Sequence, residues 1–257
     1  MPLPRSLAET RRNLQLAFGL LTRLPVGRIA AAPSGAELGR ATRVYPLVGA
    51  LVGLIGGAVL WLAVALGVPD SIAAFLALGA TVLVTGAFHE DGLADTADGL
   101  GGGANRARKL EIMQDSRIGS YGVLALIFSL ALRGFALAYL AAFAAPLAGL
   151  VAAHALSRAW LPGAMMALAP ARTDGLAARL DRPGPGEAGF ALALGLVIAF
   201  AVLGLVPMLW LLAVAVVVTT FWLWLIKRQL GGTTGDTLGA LQQILEASLL
   251  ITLVVLA

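Results

Sequence analysis

The sequence predicts an all-α membrane protein that crosses the bilayer about seven times, with its N-terminus in the cytoplasm. Three observations carry this reading. Of 257 residues, 59% are hydrophobic and 12% are charged, where a soluble domain carries about 25% charged residues. Apolar runs of the ~20 residues that a crossing needs recur along the chain. Lys and Arg cluster in alternate connections only, as the positive-inside rule requires. The length suits one domain, residues 1–257.

The elements follow in order. Leu7, Leu14, Phe18 and Leu21 recur at helical spacing. They predict an amphipathic helix over residues 6–24, lying on the membrane surface or packed on the cytoplasmic side of the bundle. Arg5, Arg11 and Arg12 precede its apolar patch, but Arg23 and Pro25 interrupt it, so it lacks a signal-peptide core. Thr22 to Arg43 reads as a polar connection. The expected spans are Val44–Gly67, Ser71–Phe88, Tyr121–Phe143, Leu147–Ala169, Ala188–Val206, Pro207–Ile226 and Leu241–Ala257. The fifth and sixth are joined at Pro207 with almost no loop, yet together they are too long for one crossing. Abundant Gly and Ala let membrane helices approach closely.

Seven spans place all but two of the eighteen basic residues on one face. Arg5, Arg11, Arg12, Arg23, Arg28, Arg40 and Arg43 precede the first span. Arg106, Arg108, Lys109 and Arg117 follow the second. Arg172, Arg179 and Arg182 follow the fourth, and Lys227 and Arg228 follow the sixth. That face is cytoplasmic. The net charge of +4 is therefore read as topology and not as a nucleic-acid surface. Arg133 and Arg158 fall inside spans, where a charge faces a cavity or a partner. His154 and Arg158 share a helix face, and either arginine can contact substrate phosphate or pair with Glu246 in the last span.

Residues 88–122 form an Asp-rich cytoplasmic segment holding six of the fourteen acidic residues. Ser71–Phe88 is expected to continue into it as a helix. On a helix turning about 100° per residue, Asp91, Asp95 and Asp98 fall within about 60° of one another. Three carboxylates in one stripe suit a hard divalent cation, Mg²⁺ or else Mn²⁺, which prefers oxygen ligands. With no cysteine and only His89 and His154, a thiolate zinc site is excluded. A cation held by carboxylates beside Arg106, Arg108, Lys109 and Arg117 suits phosphoryl transfer. His89 is the first candidate for general base, with an Asp or a metal-bound hydroxide as alternatives. The Gly231-Gly232-Thr233-Thr234-Gly235-Asp236 turn falls on the same face. Its glycines allow backbone N–H groups close to phosphate, and Asp236 can complete the cation shell. As a plain turn, it would instead cap the last helix.

Residues 88–99 (FHEDGLADTADG), 109–122 (KLEIMQDSRIGSYG) and 231–240 (GGTTGDTLGA) resemble the signature segments of the cobalamin synthase family, the adenosylcobinamide-GDP ribazoletransferases. The likeness extends to Thr22-Arg23-Leu24-Pro25 and Tyr45-Pro46-Leu47-Val48-Gly49, and so spans nearly the whole chain. A basic residue is expected where Gln114 stands. The resemblance implies a bacterial inner-membrane enzyme that moves the cobinamide phosphate of adenosylcobinamide-GDP onto α-ribazole or its 5′-phosphate, releasing GMP. It implies catalytic roles for His89, Asp91, Asp95, Asp98 and Asp236, the four aspartates holding Mg²⁺. It implies substrate contacts for Arg106, Lys109, Arg117, Arg158, Gly231, Gly232 and Thr234, with Ser157-Arg158 matching a family motif. Two rivals stay open. A CDP-alcohol phosphatidyltransferase also uses a stripe of aspartates with glycines, although no Ala-Arg follows Asp98-Gly99 here. A transporter would carry intramembrane charges, but at midplane and in repeated halves.

Overall fold

The computed structural model describes residues 5–27, 29, 31–143 and 146–257. Arg28, counted above among the basic residues, lies outside them. Among the described residues the fold is helical with no strand; the one β-bridge pairs Pro170 with Thr233. Thirteen α-helices follow one another: α1 (Arg5–Leu21), α2 (Gly35–Ala41), α3 (Tyr45–Ala65), α4 (Asp70–Thr85), α5 (Phe88–Gly102), α6 (Arg106–Ile112), α7 (Ser120–Phe143), α8 (Pro146–Ala159), α9 (Leu161–Ala167), α10 (Leu176–Arg179), α11 (Pro185–Leu203), α12 (Leu205–Leu230) and α13 (Gly235–Leu256). Among the described residues, five helical stretches are long and apolar enough to cross a membrane, and a sixth is counted if α4 and α5 are one bent span.

Helices occupy the expected stretches, although not every one is long and apolar enough to cross a membrane by itself, and several details differ. The Thr22–Arg43 connection contains α2, whose start is fixed by a capping box between Ser34 and Glu37. A 3₁₀ turn at Thr42–Val44 joins it to α3. The second span does not run into the Asp stripe. Gly86 and Ala87 both take left-handed backbone, and α5 leaves α4 at 91°. The fourth span is interrupted at Trp160 into α8 and α9, and α8 has only 14 residues. The fifth and sixth separate at Gly204, where φ is +80°, and not at Pro207, which is accommodated in the first turn of α12. In α1, Leu14, Phe18 and Leu21 pack inward as expected, while Leu7 is exposed.

Packing in lipid cannot rest on apolar burial alone, because acyl chains are as apolar as leucine. Small residues and buried polar groups do the work instead. Gly49, Gly53 and Gly57 line one face of α3. A Cβ at Gly49 would stand 2.1 Å from the His154 carbonyl, and one at Gly53 would stand 2.5 Å from that of Leu150. The α3 and α8 backbones are therefore in direct contact. Around α8 lies a buried polar network. Glu246 Oε1 accepts from Arg133 Nη1 at 2.9 Å, and Glu246 Oε2 lies 3.0 Å from His154 Nδ1. Arg133 also reaches Glu90 Oε1 at 3.3 Å, which accepts from Gln243 Nε2 at 3.2 Å. Gln242 Nε2 donates to Glu246 at 2.7 Å and to Ser157 at 3.0 Å. The network joins α5, α7, α8 and α13. Removing one member of such a buried pair costs about 3–5 kcal/mol, because the other charge is left unpaired.

The polar connections touch one another. Arg23 N donates to Val84 O at 2.7 Å, and Asp181 N to Gly35 O at 3.1 Å. Arg106 Nη2 donates to Ala171 O at 2.6 Å, and Gln114 Nε2 to Asp174 at 3.0 Å. The segments preceding α3, following α4, following α9 and following α12 thus share one end of the bundle.

Candidate functional site

The site is built where α5 crosses the start of α13. Gly92 makes this crossing possible: a Cβ there would stand 2.8 Å from the Asp236 carbonyl. Gly239, one turn along α13, lies 3.4 Å by its own notional Cβ from the Cα atoms of His89 and Gly92. Small residues on both helices therefore bring Asp236 against the acidic stripe. Thr234 begins α13: its hydroxyl accepts from Thr237 N at 3.2 Å and donates to Asp236 Oδ2 at 3.2 Å. The same threonine caps the helix and orients the carboxylate.

The three stripe carboxylates differ in setting. Asp91 is exposed, Asp95 half-buried and Asp98 buried. Burial, followed by the charges of Asp91, Asp236 and Asp98, pushes the Asp95 carboxyl up to about 7. The cluster repels itself, and a cation would relieve it. Asp98 has a second task. Its Oδ2 accepts from Gly119 N at 2.7 Å and its Oδ1 from Gly122 N at 2.9 Å, so it holds the N-terminus of α7. A Cβ at either glycine would fall 2.4 Å from an Asp98 oxygen. The expected Asp stripe is thus helical, and its last member is spoken for by the backbone.

The other expected residues separate into two groups. Arg106 and Lys109 lie against the glycine turn. Arg106 Nε donates to Leu230 O at 2.7 Å and its Nη2 to Ala171 O; Lys109 Nζ bonds Gln229 Oε1. Gly231 ends α12 with a φ of +73°, which suits glycine. Gly232 has no space for a side chain, since a Cβ would be 2.3 Å from Ala169 O. The turn is therefore held rigidly by the bridge between Pro170 and Thr233. The second group is engaged with other partners. Arg117 is exposed and paired with Asp115 at 2.6 Å. Arg158 is fully buried, with Nη1 3.0 Å from His154 Nδ1 and 3.9 Å from Glu246, so it belongs to the polar network. His89, two residues from Asp91, projects about 200° away around α5. It is buried, neither ring nitrogen has a partner, and it lines an apolar cavity of about 40 Å³ with Leu20, Tyr45 and Met165.

Arg172 is the residue that sequence reasoning missed. It was counted only for topology, yet its Nη2 stands 3.5 Å from Asp236 Oδ2. No periodicity links it to the stripe, since it comes from an irregular segment between α9 and α10.

All cluster donors are carboxylate oxygens, the chemistry that Mg²⁺ or Mn²⁺ takes. Among the described residues, no three acidic or histidine side chains are gathered round one point as a finished shell. The fit to a cation is one of donor type and of mutual repulsion.

The fold and site define a polytopic helical membrane protein with a carboxylate cluster and basic residues at one end, a class suited to phosphate chemistry. The chain belongs to the Cobalamin-5-phosphate synthase family, whose family model matches residues 13–254. It is 46% identical over 251 residues to an adenosylcobinamide-GDP ribazoletransferase of Bradyrhizobium diazoefficiens, covering 95% of each chain. It is 44% identical over 262 residues to one of Mesorhizobium japonicum, covering 98% of this chain and 97% of the relative. A third, from Allorhizobium ampelinum, is 43% identical over 245 residues, covering 93% and 94%. No solved structure matches the chain.

Proposed function

We propose that the protein transfers the cobinamide phosphate of adenosylcobinamide-GDP to α-ribazole or α-ribazole 5′-phosphate. The products are adenosylcobalamin or its 5′-phosphate, and GMP. The observation that carries this is the contact of Gly92 with Asp236, which unites two motif segments far apart in sequence into one carboxylate cluster. The ribose 3′-hydroxyl of the acceptor attacks the phosphorus next to the cobinamide linker. The bond from that phosphorus to the GMP oxygen breaks, and GMP leaves. Asp91, Asp95 and Asp236 would hold Mg²⁺, with Mn²⁺ as a substitute. Bound there, the ion supplies positive charge that neutralises the diphosphate and eases departure of GMP. Asp98 positions the start of α7 against the stripe. Arg106 and Lys109 fix the glycine turn, whose Thr234 aims Asp236. The hydroxyl proton goes to a cluster carboxylate sooner than to His89, whose ring lies on the opposite face of α5.

The site faces the cytoplasm of a bacterial inner membrane in this reading, with seven crossings: α3, α4, α7, α8, α11, α12 and α13. The lopsided distribution of Lys and Arg and the mutual contacts of the basic connections support it. The test is incubation of purified protein with adenosylcobinamide-GDP and α-ribazole, with and without Mg²⁺. Cobalamin and GMP in equal amounts, dependent on Mg²⁺, are expected. Turnover of a CDP-linked lipid donor in their place would overturn the reading.

A further inference from the structure

We propose that Arg172 is a substrate-binding residue that takes the diphosphate of a nucleoside-diphosphate donor. The proposal rests on the phosphotransfer reading above. Arg172 lies in a segment that the structure holds firmly. Ala171 N donates to Thr233 O at 2.7 Å, and Thr233 N to Ala169 O at 2.9 Å. Arg106 closes the same segment through the Ala171 carbonyl. This places the Arg172 guanidinium beside Asp236, and its Nε 3.6 Å from Asp174.

The guanidinium is under-used there. Its two ionic contacts, at 3.5 and 3.6 Å, are long, and its buried Nη1 donates to nothing. A buried N–H without an acceptor is unfavourable until one arrives. The other cations near the site or in the core are committed elsewhere. Arg106 is spent on two carbonyls, Lys109 on Gln229 and Arg117 on Asp115. Arg133 and Arg158 belong to the buried network around Glu246; Arg158 Nε also lacks an acceptor, but no contact among the described residues links Arg158 to a cluster carboxylate. Arg172 therefore combines contact with a cluster carboxylate and a spare donor. Its planar fork matches two phosphate oxygens at once.

Charge then sets an order of events. Without ligands, the guanidinium partly balances Asp236. When a divalent cation takes over that carboxylate, the guanidinium is released toward the phosphates that accompany the cation. Arg172 thus opposes binding of the bare cation and favours binding of the diphosphate. A residue that merely held the segment together would support both.

The test measures both quantities on the purified full-length protein. Mn²⁺ binding is read by electron paramagnetic resonance, and GDP binding is measured at saturating Mn²⁺. Arg172→Gln is expected to weaken GDP by at least about tenfold, while Mn²⁺ alone binds as tightly as in the parent or more so. Arg172→Lys, which keeps the charge and loses the fork, should recover part of the GDP affinity. GDP affinity unchanged in Arg172→Gln would overturn the proposal. So would parallel losses of Mn²⁺ and GDP affinity, which mark a structural role. If the parent protein turns over its substrates yet Arg172→Gln binds GDP normally, this assignment alone fails. If the parent binds no GDP with Mn²⁺ but turns over its substrates, this assignment alone fails; if it does neither, the phosphotransfer reading fails with it.

Discussion

Asp95 and Asp98 are three residues apart on α5, yet their carboxylates meet opposite conditions. Asp95 is half-buried and crowded by other anions, and burial first, then those charges, push its carboxyl up to about 7. Asp98 is satisfied by two backbone N–H groups. The same substitution should therefore act differently at the two positions. Asp95→Asn removes a repelled charge, so the thermal midpoint should hold or rise while turnover falls by about two orders of magnitude or more. Asp98→Asn sets an amide NH₂ against a backbone N–H and should cost about 1–3 kcal/mol of stability as well as activity. Thermal unfolding and turnover of the two variants check this. Equal midpoints for both would remove Asp98 from the end of α7.

At the scale of the element, the glycines decide where backbones touch. A leucine at Gly53 would drive its Cβ to within 2.5 Å of the Leu150 carbonyl. Gly53→Leu should part α3 from α8 and lower the yield of folded protein, with a cost of at least about 1–3 kcal/mol. Gly79, whose Cβ meets nothing within 4 Å, is the control position. Gly79→Leu should leave yield and thermal midpoint unchanged. Long elements of this kind were legible in the sequence because hydropathy and charge report them directly: α3, α7, α11, α12 and α13 fall close to their expected ranges. The turn from α4 into α5 was not legible. It depends on left-handed backbone at Ala87 as well as Gly86, and nothing in an alanine announces that conformation. The acidic stripe was readable from the helical period alone, but its partner Arg172 was not. Tertiary hydrogen bonds deliver Arg172 from an irregular segment, and no periodicity encodes them. The break of the fourth span at Trp160 was not legible either: α8 is packed inside the protein along most of its length, and hydropathy does not report where such a buried helix is interrupted.

For the whole molecule, the connections that carry the basic residues converge at one end, where the carboxylates also lie. The seven crossings and cytoplasmic site proposed above would account for both. Single cysteines in this cysteine-free chain test the topology at the exposed positions Pro69, Asn105 and Arg228. An impermeant thiol reagent added to intact spheroplasts should reach position 69 alone; labelling at 105 or 228 would reverse the orientation. The central claim, that α5 and α13 together make one site, has a more direct measurement. It is the turnover of Asp95→Ala, Asp236→Ala and the double variant at saturating Mg²⁺. Residues that act as a unit lose activity non-additively, so the double variant should be about as impaired as the worse single one. Two losses that multiply would contradict a shared site and leave Asp236 as no more than part of the cap of the last helix.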